Sequence, residues 1–406
     1  MTTSKASVVT SVFALAIGVG AFVPGCTAGT PAPQARRSAI KPVVVTEPVK
    51  WDTDDPAIWV NPVDRSQSLI IGTDKDADGA LYVFDLSGKI LPDRTVRGLR
   101  RPNNVDVEYG LLLGGKPVDI AVATEREANT IRVYRLPDMV AIDHGGIEVF
   151  TGEAAREPMG ISLYKRPNDR AIFAIVSRKS GPSEGYLWQY LLQDDGRGGV
   201  TGTKVRAFGL YSGKKEIESI AVDDQLGYVY YSDEQSCIRK YFADPDEVHA
   251  GQQLATISTG GYLADSEGIS IYAVNDGTGY ILVSNQSANK FHIYRREGEP
   301  GNPHEHKEVR VVDVSTNNSD GSDVTNVPLD ARCRGGCFVA MSDNKTFQFY
   351  SWADIAGTDL VIAPNGITPA QPSSAPPDRD VDIKTTHTEP RARIVPTAGV
   401  VLKVTG

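Results

Sequence analysis

The sequence predicts an all-β chain folded as a six-bladed β-propeller, and three observations predict it. Six strand-like segments carry an aromatic at their fourth position: LYVFDL (81–86), IRVYRL (131–136), LWQYLL (187–192), IRKYFA (238–243), FHIYRR (291–296) and FQFYSW (347–352). They place Phe84, Tyr134, Tyr190, Tyr241, Tyr294 and Tyr350 at intervals of 50 to 56 residues. Each segment follows a partner strand across a polar turn, which is the pattern of a β-hairpin. Helical spacing is nearly absent.

The partners are LIIGT (69–73), DIAVAT (119–124), AIFAIVS (171–177), YVYYS (228–232), YILVS (280–284) and CFVAM (337–341). A further element recurs upstream of each: DPAIWV (55–60), NVDVEY (104–109), GISLYK (160–165), ESIAVD (218–223), EGISIY (267–272) and DVTNVP (323–328). One unit therefore reads as inner strand, middle strand, outer hairpin strand and linking strand, and six units fill about 42 to about 355. Beyond them, Ala363–Pro377 is Pro-rich and reads as a loop. Gly399–Thr405 reads either as a strand that closes the ring or as an ordered tail.

The N-terminus has the composition of an export signal. Lys5 supplies a positive start, and Val8–Val23 is an apolar run too short for a comfortable membrane span. Val23-Pro24-Gly25-Cys26 resembles a lipoprotein cleavage box, with cleavage near Ala28 and no lipid as the plain alternative. The chain thus divides into an export segment (1–26), a flexible linker (27–41) and a propeller domain (42–406). The expected location is the periplasm, the outer membrane through a lipid on Cys26, or the medium.

The 406 residues carry a formal charge of −9 without a long Lys/Arg run, which argues against a nucleic-acid partner. Cys333 and Cys337 flank Arg-Gly-Gly, and a disulfide there suits an oxidising compartment. Cys237 is expected to be a buried thiol. A monomer is the default expectation.

Radial symmetry brings the starts of the inner strands to one rim of a central channel. Those starts are Asp54-Asp55, Asn103-Asn104, Met159, Glu218, Asp265 with Glu267, and Asp323. Acids so crowded repel one another, and a hard divalent cation such as calcium would offset that repulsion. The alternative is that they cap strands and hydrate the rim. The hairpin turns add Lys75, Arg126, Lys179 and Glu234 on one face. Three cations beside a calcium cluster would form a receptor for dense negative charge, and phosphate fits best.

DDPAIWVNP (54–62), GTDKDADGALYVFDLSGK (72–89) and RPNNVDVEYG (101–110) closely resemble the β-propeller phytases, the calcium-dependent alkaline phytases of bacteria. The likeness continues through KVRAF (204–208), DSEGISIY (265–272), SDGSD (319–323) and FVAMSDNKTFQFYSW (338–352). The resemblance implies a 3-phytase that takes phytate, as its calcium complex, and hydrolyses its phosphomonoesters by in-line attack of a calcium-bound water. It implies several Ca²⁺ ions. Their ligands would include Asp55, Glu218, Glu234, Asp265, Glu267 and Gln286, with Asn104 and Asp106 near the site. Asp320, Asp323 and Asn344 match a region that holds structural calcium in that family. Lys75, Arg126 and Lys179 would bind phosphate. The chain departs from the pattern at Met159, where a Tyr is frequent, at Asp76, where a second Lys is common, and at Ser180, where an acid is common.

Three motifs are expected to be decoys. Asp74–Gly79 begins like an EF-hand loop, but it lies between strands and position twelve is Asp85 instead of Glu. Gly181-Pro-Ser-Glu-Gly185 matches G-x-S-x-G, but in a hairpin loop. His304-Glu-His306 reads as a solvated loop. Two other functions fit a calcium propeller: hydrolysis of lactones or esters, and non-catalytic surface binding. The first has no need of Lys75, Arg126 and Lys179 on one face, and the second would turn over nothing.

Overall fold

The computed structural model describes residues 38–258, 265–275 and 277–364. The export segment with Cys26, nearly all of the Pro-rich segment, and Gly399–Thr405 lie outside the described residues. Among the described residues no helix is long and apolar enough to cross a membrane.

Six antiparallel sheets follow one another along the chain. Blade 1 comprises Thr53–Trp59, Leu69–Asp74, Gly79–Phe84 and Val96–Leu99. Blade 2 comprises Pro102–Leu113, Lys116–Glu125 and Thr130–Leu136, with the short strands Val140–Ala141 and Ile147–Glu148 both pairing with the third. Blade 3 holds Pro158–Lys165, Ile172–Arg178, Glu184–Asp194 and Val200–Leu210, and blade 4 holds Ile220–Asp223, Tyr228–Asp233, Cys237–Phe242 and Ala255–Ser258. Blade 5 is Ile269–Ala273, Gly279–Asn285, Lys290–Arg295 and Glu308–Asp313. In blade 6, Ser322–Thr325, Cys337–Ser342 and Thr346–Ser351 are joined by Val44–Val45 from the opposite end of the domain. Val44 pairs with Phe349 and Val45 with Gln348. The ring is therefore closed by an N-terminal strand.

Middle strands such as LIIGTD and CFVAMS are buried at every residue, because each blade is covered on both faces. Successive side chains serve different neighbours, as the two-residue period of a strand requires. Ile70 packs toward blade 6, whereas Leu69 and Ile71 pack toward blade 2. Apolar cores fill all the junctions, 1–2, 2–3, 3–4, 4–5, 5–6 and 6–1. The repeated aromatic has one task throughout: Phe84, Tyr134, Tyr190, Tyr241, Tyr294 and Tyr350 are each buried in the core shared with the preceding blade. Burial of one such ring contributes about 2–3 kcal/mol.

The sixth aromatic segment ends one residue early as a strand, and Trp352–Ala356 turns into a short helix. Cys333 and Cys337 form the expected disulfide. Cys237 is free but only partly buried, since it stands at the start of its strand. In the His304–His306 loop only Glu305 is exposed, and the two histidines are covered instead of solvated. The loop folds over blade 4, with His304 edge-on to Tyr228 and His306 edge-on to Tyr230. Lys240 Nζ sits 3.9 Å from the Tyr228 ring centre and 3.1 Å from His306 Nε2.

Candidate functional site

The inner strands of all six blades line a central channel, to which Asp55, Asn104, Asp106, Ser162, Ser270 and Asp323 present polar groups. At one end of the channel the inner strands of blades 1 to 3 begin with a bulge. The pairing register shifts between Thr53 and Pro56, between Pro102 and Val105, and between Pro158 and Ile161. A bulge re-aims the side chains it carries. These bulges hold Asp54-Asp55, Asn103-Asn104 and Met159-Gly160, and the proline beside each is compatible with the interrupted ladder.

Asp54 is buried at this rim and accepts from Lys75 Nζ. Lys75 arrives from the middle hairpin of blade 1 and also stands 3.9 Å from Glu218 and 4.0 Å from Asp320. Asn103 Nδ2 donates to Asp54 Oδ2 and Asn104 Oδ1, both at 3.0 Å, and to Glu218. Arg126, from the equivalent hairpin of blade 2, reaches Asn103 Oδ1 at 3.4 Å. Among the described residues Arg126 has no carboxylate within ion-pair distance. Gln286, from the blade 5 hairpin, donates to Asp320.

A second focus adjoins the first. Lys215 Nζ lies 2.7 Å from Glu234, 3.3 Å from Asp265 and 2.6 Å from Glu267. Lys179 Nζ lies 2.6 Å from Glu216. The oxygens of Glu216, Glu218 and Glu234 come within 4.8 Å of one another, as do those of Glu234, Asp265 and Glu267. Glu234 thus belongs to both sets. It is almost wholly buried, and the Lys215 ammonium that it meets at 2.7 Å is shared with Asp265 and Glu267.

The electrostatics of the rim are unbalanced. Among the described residues Asp54, Glu216, Glu218, Glu234, Asp265, Glu267 and Asp320 face four cations, Lys75, Arg126, Lys179 and Lys215. Burial, reinforced by neighbouring carboxylates, raises the pKa of Asp54, Glu234 and Asp320. Burial lowers the pKa of Lys75 and Lys215, but the surrounding acids outweigh it and leave both ammonium groups above their ordinary value. A divalent oxygen-seeking cation would reverse the upward shift of the acids, because it favours their ionised form. Buried Glu234, which belongs to both acid clusters and shares one ammonium with Asp265 and Glu267, fits such an ion.

The sequence-predicted residues separate into three groups. Lys75, Arg126, Lys179, Glu218, Glu234, Asp265, Glu267, Gln286, Asp320 and Asn104 meet at or beside this rim. Asp55, Asp106 and Asp323 lie along the channel wall and tie the blades together. Asp55 accepts the Val105 N–H at 3.0 Å, Asp106 the Leu163 N–H at 2.7 Å, and Asp323 the Ile58 N–H at 2.8 Å. Burial raises the pKa of Asp106 to about 7 and that of Asp323 to about 6, and lifts Asp55 as well. Asn344 stands apart, exposed in the blade 6 hairpin, where it accepts from Thr346 at 2.6 Å.

Lys215, Glu216 and the direct role of Asn103 were not foreseen. The signal was the run Lys214-Lys215-Glu216-Ile217-Glu218: in an extended chain alternate residues share a side, so Glu216 accompanies Glu218 as Asp265 accompanies Glu267. Of the departures, Met159 is buried and its carbonyl accepts from Thr124 at 2.6 Å. Asp76 closes its own hairpin by accepting the Asp78 N–H at 3.0 Å. The Asp74–Gly79 segment is that hairpin, with Asp74 accepting the N–H groups of Trp51 and Asp52.

A family model described as Phytase matches residues 9–357. The chain is 35% identical over 328 residues to the 3-phytase of Bacillus subtilis (strain 168), covering 75% of this chain and 80% of that protein. Among solved structures, the β-propeller domain of Cps50 (Swd1) from Myceliophteria thermophila aligns with a TM-score of 0.43 at 11% identity, over 73% of this chain and 82% of that one.

Proposed function

From the premise that this chain belongs to the phytase family and hydrolyses phytate as a 3-phytase, we propose that the channel rim is the active site and that it requires calcium. One observation carries the reading. Lys75, Arg126 and Lys179, from the same hairpin turn of three successive blades, converge on a rim whose carboxylates outnumber its cations and include the buried Glu234. A surface with excess acid repels phosphate, so the rim needs added positive charge before it binds a polyphosphorylated substrate.

Glu216, Glu218, Glu234, Asp265 and Glu267 would hold the ions, with Asp54, Asp320, Gln286 and Asn104 beside them. Asp55, Asp106 and Asp323 would serve cations entering the channel, and Asn344 a peripheral structural ion. Bound calcium would neutralise phosphate oxygens and acidify a water for in-line attack on phosphorus. The side chains do the remaining work. Arg126 presents a guanidinium fork to two phosphate oxygens. Lys75 and Lys179 place ammonium charges where equatorial oxygens gain charge as the P–O bond breaks. Asn103 fixes the Asp54 and Glu218 carboxylates relative to one another. With no side-chain nucleophile required, no phosphoenzyme forms.

The test is phosphate release from phytate near neutral pH in millimolar calcium and in excess chelator, with p-nitrophenyl phosphate and a lactone alongside. Release that stops with chelator and returns with calcium is expected. Undiminished release in chelator would overturn the calcium requirement. Export through residues 1–26 belongs to the same proposal, and the Cys333–Cys337 disulfide supports an oxidising compartment. Fractionation and mass determination of the mature N-terminus test it.

A further inference from the structure

Lys215 occupies a place that calcium would claim. Glu234, Asp265 and Glu267 each turn an oxygen toward one point, within 4.8 Å of one another, and Lys215 Nζ contacts all three carboxylates. Glu234 is 1 % exposed and meets the Lys215 ammonium at 2.7 Å, so its carboxylate is aimed at this point. Lys215 comes from the loop between the outer strand of blade 3 and the inner strand of blade 4. The backbone of that loop is pinned. The Tyr211 ring packs 4.3 Å from Tyr186, Ser212 donates to Asp233 at 2.7 Å, and Glu234 N donates to Glu216 O at 3.3 Å. The Lys215 side chain itself is 28% exposed, so its four-carbon stem can leave the carboxylates without the loop moving.

Resting on the calcium reading above, we propose that Lys215 is a tethered competitor for calcium at Glu234, Asp265 and Glu267. Ammonium and metal need the same oxygens and repel each other, so calcium binding at this point displaces Lys215. Without metal the ammonium neutralises part of the triad and holds the rim together. With metal it swings toward solvent, still tethered beside the phosphate-binding face. The tether gives the competitor an effective concentration on the order of millimolar, so it raises the calcium concentration needed to fill this site.

The experiment is calorimetric calcium titration of the metal-free full chain, with thermal melting alongside, for the wild type, Lys215→Met and Lys215→Arg. Lys215→Met should bind calcium at one site about tenfold or more tightly than the wild type. Its metal-free form should melt at lower temperature, and its stabilisation by calcium should be larger. Lys215→Arg, which keeps the charge, should stay near the wild type. If Lys215→Met folds only in calcium, chelator titration of the loaded variant and of Lys215→Gln reads the same affinity. Equal or weaker calcium binding by the neutral variants, with a wild type that binds calcium, overturns the competitor role alone. A wild type that binds no calcium yet releases phosphate from phytate overturns the calcium reading and this inference with it.

Discussion

Gly160→Ala tests whether the rim depends on close approach of neighbouring blades. Gly160 lies in the bulge that opens blade 3, against the backbone of Glu218. A Cβ there would stand 1.8 Å from Glu218 O and 2.8 Å from Glu218 C, where real Cβ contacts essentially never fall below 3.0 Å. The backbone must therefore part by roughly 1.2 Å, the difference between 3.0 and 1.8. Gly160 cannot retreat freely. Its N–H donates to Ser177 Oγ at 2.9 Å, Ser177 Oγ donates to Ile217 O at 2.5 Å, and Thr124 holds Met159 O. Glu218 has to give, and its carboxylate is one of the oxygens set between Asn103 and Lys75. A displacement of about 1 Å in a catalytic constellation costs about 10²-fold in rate, and overpacking costs about 1–3 kcal/mol of stability. The assay is kcat/KM on phytate in calcium together with Tm. Gly251→Ala serves as the control, since a Cβ there meets nothing within 4 Å. Wild-type kcat/KM in Gly160→Ala would refute the reasoning.

Three further outcomes are expected. Arg126→Met should lower kcat/KM on phytate by about 10²-fold with little change in Tm, because the role proposed for Arg126 is to bring charge to substrate and its bond within the rim is to the neutral Asn103; steady-state kinetics and melting check it. Asp223→Ala should destabilise the fold by about 3–5 kcal/mol, since Asp223 holds the buried Arg296 through bonds of 2.5 and 2.6 Å, and Asp223→Ala with Arg296→Met should cost less than Asp223→Ala alone by denaturant unfolding. His306 is held near 4 by burial and by Lys240, below the ordinary 6.5. Its contribution is therefore complete above about pH 6.5 and is lost as pH falls toward 4, because the unfolded chain takes up the proton first. His306→Gln should reduce the rise of Tm with pH across that window, measured against the wild type.

The propeller was legible because its repeat has a physical cause. One aromatic per unit fills the junction with the preceding blade, so the spacing of Phe84 to Tyr350 in the sequence is the spacing of the junctions in space. Ring closure was not legible. The strand that closes it, Val44–Val45, is two residues long, too short to show a period, and its partner lies some 300 residues away. Cooperation with a distant strand, rather than any local preference, makes it a strand.

The site was legible to the extent that it repeats. Equivalent turns of successive blades gave Lys75, Arg126, Lys179 and Glu234, the family resemblance added Gln286, and the fold brings them to one rim. A carboxylate at an inner-strand start has two uses, however, and its identity does not choose between them. Asp54 turns to the rim and meets Lys75, whereas Asp106 accepts the N–H of Leu163 in the next blade. Both positions need an anion, one to meet cations and one to join blades around a channel with no continuous sheet across it. Lys215 lies in the connection between blades 3 and 4 instead of in a hairpin turn, so the repetition of the turns did not reveal it. Yet its placement follows from the same imbalance that the acids announced. A rim with more carboxylates than cations draws in whichever positive group can reach it, and Lys215 is such a group, tethered to the rim itself.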